Sequence, residues 1–174
     1  MGLRSENREL FRTMTAGCSI ISLLELVCTK RSIIIFIKSD WKNIRRSDYS
    51  DRRVLLVEDN DLNSEIASEI IGMTGASVEI VENGREAVER IENASENWYD
   101  IVFMDVQMPV INGYEATAAI RALPVRRGQI PIIAMTANAF AEDVQLAKNT
   151  GMDEHIAKPL DFEKLNTVME KYLN

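Results

Sequence analysis

The sequence predicts an α/β fold: a doubly wound, five-stranded parallel sheet in the order 2-1-3-4-5, with an N-terminal extension ahead of it. Three observations lead there. After residue 53, short apolar runs alternate with segments of helical periodicity five times. Runs such as 54–57 and 101–104 are continuously apolar, as strands buried on both faces are. Residues 77–81 alternate polar and apolar instead, which suits a half-exposed strand at a sheet edge. Strand–helix alternation implies a parallel sheet covered on both faces, and right-handed crossovers leave few topologies. The order 2-1-3-4-5 satisfies them all.

The elements follow in turn. Residues 54–57 (Val-Leu-Leu-Val) form the first strand, and Leu62, Ile66, Ile70 and Met73 recur at helical spacing behind it. After the strand at 77–81, Asn83-Gly84-Arg85-Glu86 has the form of a capping box, with Asn83 as N-cap and Glu86 reaching back. Ala87, Val88 and Ile91 are the inner face of that second helix. Residues 101–104 are the third strand, and Ala116, Ala119, Ile120 and Leu123 mark the third helix. Residues 131–135 are the fourth strand, followed by a helix through Phe140, Val144 and Ala147. Residues 154–157 are a brief fifth strand, and Phe162, Leu165, Met169 and Tyr172 give the last helix. Asp61 and Asp161 read as helix caps. Gly113 reads as a turn glycine with positive φ. Trp98 and Tyr99 read as cover for the sheet edge, and Glu82, Glu86, Glu89 and Glu92 as a solvated helix face. Met73, Met104, Met108, Met135 and Met152 read as packing.

Composition sets the class of ligand. The chain has 174 residues, 46% hydrophobic and 27% charged, enough for one domain with a proper core. The net charge of −7 is unevenly spread: residues 1–53 carry 11 Lys/Arg and 6 Asp/Glu (+5), residues 54–174 carry 9 and 21 (−12). An acidic main domain argues against nucleic acid as a ligand and is compatible with metal cations. The two cysteines, Cys18 and Cys28, read as free apolar thiols. No apolar run approaches the about 20 residues a membrane helix needs, and no signal peptide is seen, so a soluble, cytoplasmic protein is expected.

In a doubly wound sheet, ligands bind beyond the carboxyl ends of the strands. Here the first strand runs into Glu58-Asp59, the third into Asp105, the fourth into Thr136, and the fifth is followed by Lys158-Pro159. The fold gathers these distant residues at one edge. Clustered carboxylates repel one another, and a divalent cation relieves the conflict. Mg²⁺ suits an all-oxygen site that also admits a substrate phosphate. Asp105 is then placed to attack phosphorus as a carboxylate nucleophile, giving an acyl phosphate. Lys158 offers a compact positive charge to one phosphoryl oxygen and Thr136 a hydroxyl to another. Such chemistry needs mainly positioning and charge compensation.

Val57-Glu58-Asp59-Asn60, Met104-Asp105-Val106-Gln107-Met108-Pro109, Asn112-Gly113-Tyr114-Glu115-Ala116-Thr117, Ala134-Met135-Thr136-Ala137-Asn138-Ala139 and Lys158-Pro159 together resemble the response regulator receiver family. The wording is most similar to receivers attached to hybrid sensor histidine kinases, and the likeness runs from Arg53 to Leu173. It implies a flavodoxin-like receiver fold and phosphorylation of Asp105 by a phosphohistidine on a histidine kinase or phosphotransfer protein. It implies a Mg²⁺ held by the side chains of Asp59 and Asp105 and the backbone carbonyl of Gln107, with Glu58 acting through a metal-bound water. It implies that Thr136 and Lys158 hold and report the phosphoryl group, that the Lys158–Pro159 bond is cis, and that Gln107 and Asn138 tune dephosphorylation. His155, the only histidine, departs from the chemotaxis-type pattern. Those receivers have an aromatic residue there that changes rotamer on activation.

The domain reading is an extension over residues 1–50 and a receiver over 51–174, joined by the polar, charged run 43–53. The extension resembles no family. Residues 10–14 and 20–27 suit amphipathic helices and 33–37 a strand; an interaction segment, a remnant of an upstream domain, a disordered stretch and an aid to homodimerisation all remain open. With the chain ending at Asn174, output is expected through protein partners, onward relay or the extension, with no nucleic-acid contact. Two other functions compete: a flavodoxin-like or phosphatase-type enzyme using the same aspartate, and a pseudo-receiver scaffold. Turnover separates the first from a phosphoacceptor. The absence of a Gly-rich phosphate loop after the first strand counts against a nucleotide or flavin binder, and the filled phosphorylation positions count against the scaffold.

Overall fold

The computed structural model describes residues 48–124, 127–137 and 141–174. Cys18, Cys28, the candidate elements at 10–14, 20–27 and 33–37, Asn138 and Phe140 lie outside them. Five parallel strands, β1 (Arg53–Val57), β2 (Ser77–Val81), β3 (Ile101–Asp105), β4 (Ile132–Thr136) and β5 (Glu154–Ala157), form one sheet in the order β2-β1-β3-β4-β5. The helices between and after them are α1 (Asp61–Gly72), α2 (Gly84–Asn93), α3 (Gly113–Arg121), α4 (Ala141–Asn149) and α5 (Phe162–Leu173), with a short 3₁₀ turn at Arg127–Gln129. This is the expected order, with β2 at one edge.

The central strands are apolar because both their faces are covered. Val54 to Val57 and Ile101 to Met104 have no exposed surface, and Ile132, Ile133, Ala134 and Met135 have almost none. The edge strand departs from simple alternation: Val81 is buried, while Ile80 is 42% exposed. Glu79 there is half-buried and accepts the Tyr99 hydroxyl at 2.7 Å. An edge strand has one side free of neighbours, so its alternation is set by local contacts as much as by the core. Tyr99 is buried, as its role of edge cover requires, and Trp98 lies under the Arg53 guanidinium at 3.6 Å.

Four local expectations need correction. The face of α1 centres on Ser64, Ala67, Ile70 and Ile71, with Leu62 and Ile66 only half-buried, because small Ser and Ala side chains admit the helix close to the sheet. Its N-cap is Asn60, whose carboxamide oxygen accepts from the amides of Leu62 and Asn63; Asp61 is the first helical residue, where its charge still favours the helix dipole. At α2, Asn83 caps as expected, but Glu86 accepts from the backbone N–H of Glu82 and the side-chain amide of Asn83, and not from the Asn83 backbone N–H. The full reciprocal capping box is at α3, between Asn112 and Glu115. Last, the run expected to be a linker is already part of the domain from Tyr49 on: Tyr49 is buried and its amide donates to Thr74 O at 3.0 Å.

Register places the site. Val57 pairs with Met104, Asp105 with Met135 and Thr136 with Ala157, so the carboxyl ends of β1, β3, β4 and β5 meet at one edge. Backbone bonds extend the alignment past the strands: Val106 N donates to Met135 O at 3.1 Å and Lys158 N to Thr136 O at 2.8 Å.

Candidate functional site

Each site residue is carried by the end of a rigid element. Glu58 follows β1 with its amide bonded to Val81 O at 3.1 Å, and its side chain is 1% exposed. Asp59 is the exposed residue next to it, just ahead of the Asn60 cap. Asp105 ends β3 and Thr136 ends β4, both buried. Lys158 follows β5, where the Lys158–Pro159 bond is cis as expected.

Glu58, Asp59 and Asp105 converge: one carboxylate oxygen from each lies within 4.8 Å of the other two. Lys158 lies between the two buried ones, its Nζ donating to Glu58 Oε2 at 2.5 Å and to Asp105 Oδ2 at 2.6 Å. The other oxygen of Asp105 accepts the Gln107 amide at 3.1 Å, and the other oxygen of Glu58 accepts the Asn63 amide group at 3.0 Å. Three carboxylates against one ammonium leave an excess of negative charge at the site, with Glu58 and Asp105 buried and Asp59 exposed. Oxygen donors of that charge at a mouth open on the Asp59 side fit a hard divalent cation such as Mg²⁺. Five of the six expected site residues are thus brought to one edge through side chains or strand pairing. Gln107 joins them through its amide bond to Asp105.

The loop from β3 to α3 closes over Asp105, and the structure gives Gly113 a different role from the expected one. It does not have positive φ; that conformation falls to Val110 (φ 70) in the same loop. A Cβ at Gly113 would lie 2.2 Å from Asp105 O and 2.9 Å from Val106 Cα. Its amide donates to Val106 O at 3.1 Å. Glycine is required because α3 starts against the backbone of Asp105 itself.

His155 is half-buried on β5, opposite Ala134, with Nδ1 3.8 Å from Glu154 Oε1. It lines a small depression with Val106, Tyr114, Thr136, Val144 and Ala147. Burial, and secondarily Asp143, push the Tyr114 hydroxyl pKa up, so it stays protonated across the physiological range. The depression runs from Thr136 at the site, past His155 of β5, to the inner side of α4 at Val144 and the buried Ala147.

Sequence reading missed one residue of the site region, Asn63, and one at the opposite, amino end of the sheet, Arg121. Asn63 carried a signal only in its place one helical turn after the acidic pair. Arg121 carried none: it donates to Gly151 O, Gly128 O and Ile130 O at 2.8–2.9 Å and to Asp153 at 2.7 Å, tying the end of α3 to the entries of β4 and β5. Burial lowers its pKa while Asp153 opposes the shift.

The comparisons with known proteins agree with one another. A family model described as the response regulator receiver domain matches residues 54–170. The two-component response regulator ORR41 of Oryza sativa subsp. japonica is 39% identical over 122 residues, which is 69% of this chain and 93% of that protein. Hybrid signal transduction histidine kinase L of Dictyostelium discoideum is 32% identical over 149 residues, 77% of this chain but 8% of the kinase. Probable histidine kinase 1 of Oryza sativa subsp. indica is 32% identical over 167 residues, 78% of this chain and 17% of the kinase. The chain spans only a small part of these kinases. Among solved structures, the receiver domain of sensor histidine kinase PA1611 from Pseudomonas aeruginosa, crystallised with a magnesium ion in its active-site cleft, is similar with a TM-score of 0.64 and 34% identity, over 70% of this chain and 97% of that one. The chemotaxis protein CheY4 of Vibrio cholerae is similar with a TM-score of 0.63 and 28% identity, over 70% and 98%.

Proposed function

This chain belongs to the response regulator receiver family, and on that premise we propose that it is a phosphoacceptor module of a two-component phosphorelay, phosphorylated on Asp105. One observation carries the reading. Asp105 is buried at a strand end, and its carboxylate shares one ammonium with Glu58 inside a cluster of three carboxylates. A structural role alone gives no reason to bury two carboxylates on one ammonium and set a third, exposed carboxylate beside them.

The transfer follows from the groups present. An Asp105 oxygen forms a bond to phosphorus as the N–P bond of a phosphohistidine breaks, and the leaving imidazole keeps the electron pair and takes up a proton. Lys158, already within 2.6 Å of Asp105, turns its ammonium to a phosphoryl oxygen, and the Thr136 hydroxyl donates to another. Asp59, Asp105 and the Gln107 carbonyl would hold Mg²⁺, with Glu58 outside them. Bound there, the cation supplies charge compensation for the phosphoryl group. The same residues catalyse slow loss of the phosphate, so the module holds one phosphoryl group at a time and is not a turnover enzyme.

The donor is a histidine kinase or histidine phosphotransfer protein, and the signal leaves through the face of α4, β5 and α5 to protein partners. The module takes in residues 49–174, two more than the 51–174 read from the sequence, and the residues before it are an extension to it, in the cytoplasm. Among the described residues no helix is long and apolar enough to cross a membrane.

Intact mass spectrometry tests the reading. Incubation with Mg²⁺ and acetyl phosphate is expected to add one phosphate, with no adduct in Asp105→Asn or in excess EDTA. An unmodified wild type with several small donors would overturn it.

A further inference from the structure

We propose that Asn63 is a positioning residue for the metal centre: its side-chain amide holds Glu58 in the orientation from which that carboxylate faces the cation. The inference rests on the phosphoacceptor reading and deepens it. Glu58 has one more rotatable bond than an aspartate would have, so its carboxylate swings unless both ends are held. Lys158 holds Oε2 at 2.5 Å, and Asn63 Nδ2 holds Oε1 at 3.0 Å. Only the NH₂ end of an amide can donate to a carboxylate, so this contact also fixes which way the Asn63 side chain is turned.

The backbone of Asn63 is anchored independently. Its amide donates to the Asn60 cap at 3.0 Å, which sets the first turn of α1 and delivers the side chain to Glu58. The two contacts on Glu58 differ in what happens during transfer. Lys158 also bonds Asp105 and is drawn to the incoming phosphoryl group, so its hold on Glu58 loosens when the charge arrives. Asn63 touches no group that reacts. It is the contact that keeps Glu58 in place through the step. Asn63 is itself solvent-exposed, so its amide contributes little to the core, and its role can be separated from folding.

The test is Mg²⁺ binding measured by titration calorimetry without any phosphodonor, on the full chain. Groups that orient a metal site from behind it commonly matter by roughly 10–100-fold in affinity, and since Glu58 is an outer participant Asn63→Leu is expected to weaken Mg²⁺ about 10-fold. A second background separates positioning from any general effect on α1. In Glu58→Asp the shorter side chain no longer reaches the amide, so adding Asn63→Leu is expected to change the affinity by less than about twofold, as for uncoupled sites. Wild-type affinity in Asn63→Leu overturns the inference alone. An equal loss in both backgrounds also overturns it, since Asn63 would then act through the helix. A wild type that binds no Mg²⁺ overturns both the inference and the reading beneath it.

Discussion

At Asp105 the neighbours determine the chemistry. The two oxygens of the carboxylate are held by different groups, Lys158 on one side and the Gln107 amide on the other, so its plane is fixed by the fold. Gly113 sets how close α3 comes to that carboxylate. Gly113→Ala forces a methyl group against Asp105 O and is expected to destabilise the fold by about 2–3 kcal/mol, read from urea unfolding, with slower phosphorylation of the fraction that folds. The residue types of the site were legible in the sequence because their chemistry is explicit: carboxylates, a hydroxyl and an ammonium at successive strand ends. What was not legible was any residue acting through a neighbour. Gly113 looked like a turn residue because a lone glycine does not tell a positive φ from a close approach. Asn63 and Arg121 act through a carboxylate and through backbone carbonyls, and no spacing rule announces either.

Two elements carry measurable consequences. In the β3–α3 loop, Val110 adopts φ 70 and is 72% exposed, an unfavourable conformation for a β-branched residue with no burial to offset it. Val110→Asn is expected to stabilise the protein by about 1 kcal/mol in urea unfolding, because asparagine tolerates the left-handed region better. On the other side, α5 is tied to β5 by Lys171, which donates to Glu154 at 2.8 Å. That hydrogen bond holds the Glu154 pKa below the ordinary carboxylate value despite partial burial. A depressed folded-state pKa gives stability that is present above the unfolded pKa and is lost as pH falls through the folded one. Lys171→Gln should therefore lower the Tm at neutral pH, and the difference from wild type should close as the pH drops below the carboxylate range. A gap that persists at acid pH would mean that the lysine acts by packing. Helix positions were readable from periodicity, but faces and caps were less so. Asn60 and Asp61 are both good caps by type, and only the backbone angle at Asn60 (φ −100, ψ 116) decides between them.

For the molecule as a whole, topology was the most legible feature. Continuous apolar runs, one alternating strand and the right-handed crossover rule leave essentially one strand order, and that order alone predicts which residues meet. Pairing of Val57 with Met104, Asp105 with Met135 and Thr136 with Ala157 then turns separate motifs into one site. The lower limit of the domain was less legible, since a polar, charged run looks like a linker whether or not its tyrosine is buried; Tyr49 is. The charge asymmetry between the two parts of the chain (+5 and −12) keeps the acidic part suited to a cation. The central claim is that Asp105 becomes an acyl phosphate, and its most direct test is chemical trapping. Borohydride reduces an aspartyl phosphate to homoserine, so protein treated with Mg²⁺ and acetyl phosphate, then reduced and digested, should yield a peptide with homoserine at position 105 and unchanged aspartates elsewhere. Homoserine at position 59, or phosphate found only on His155, would contradict the account.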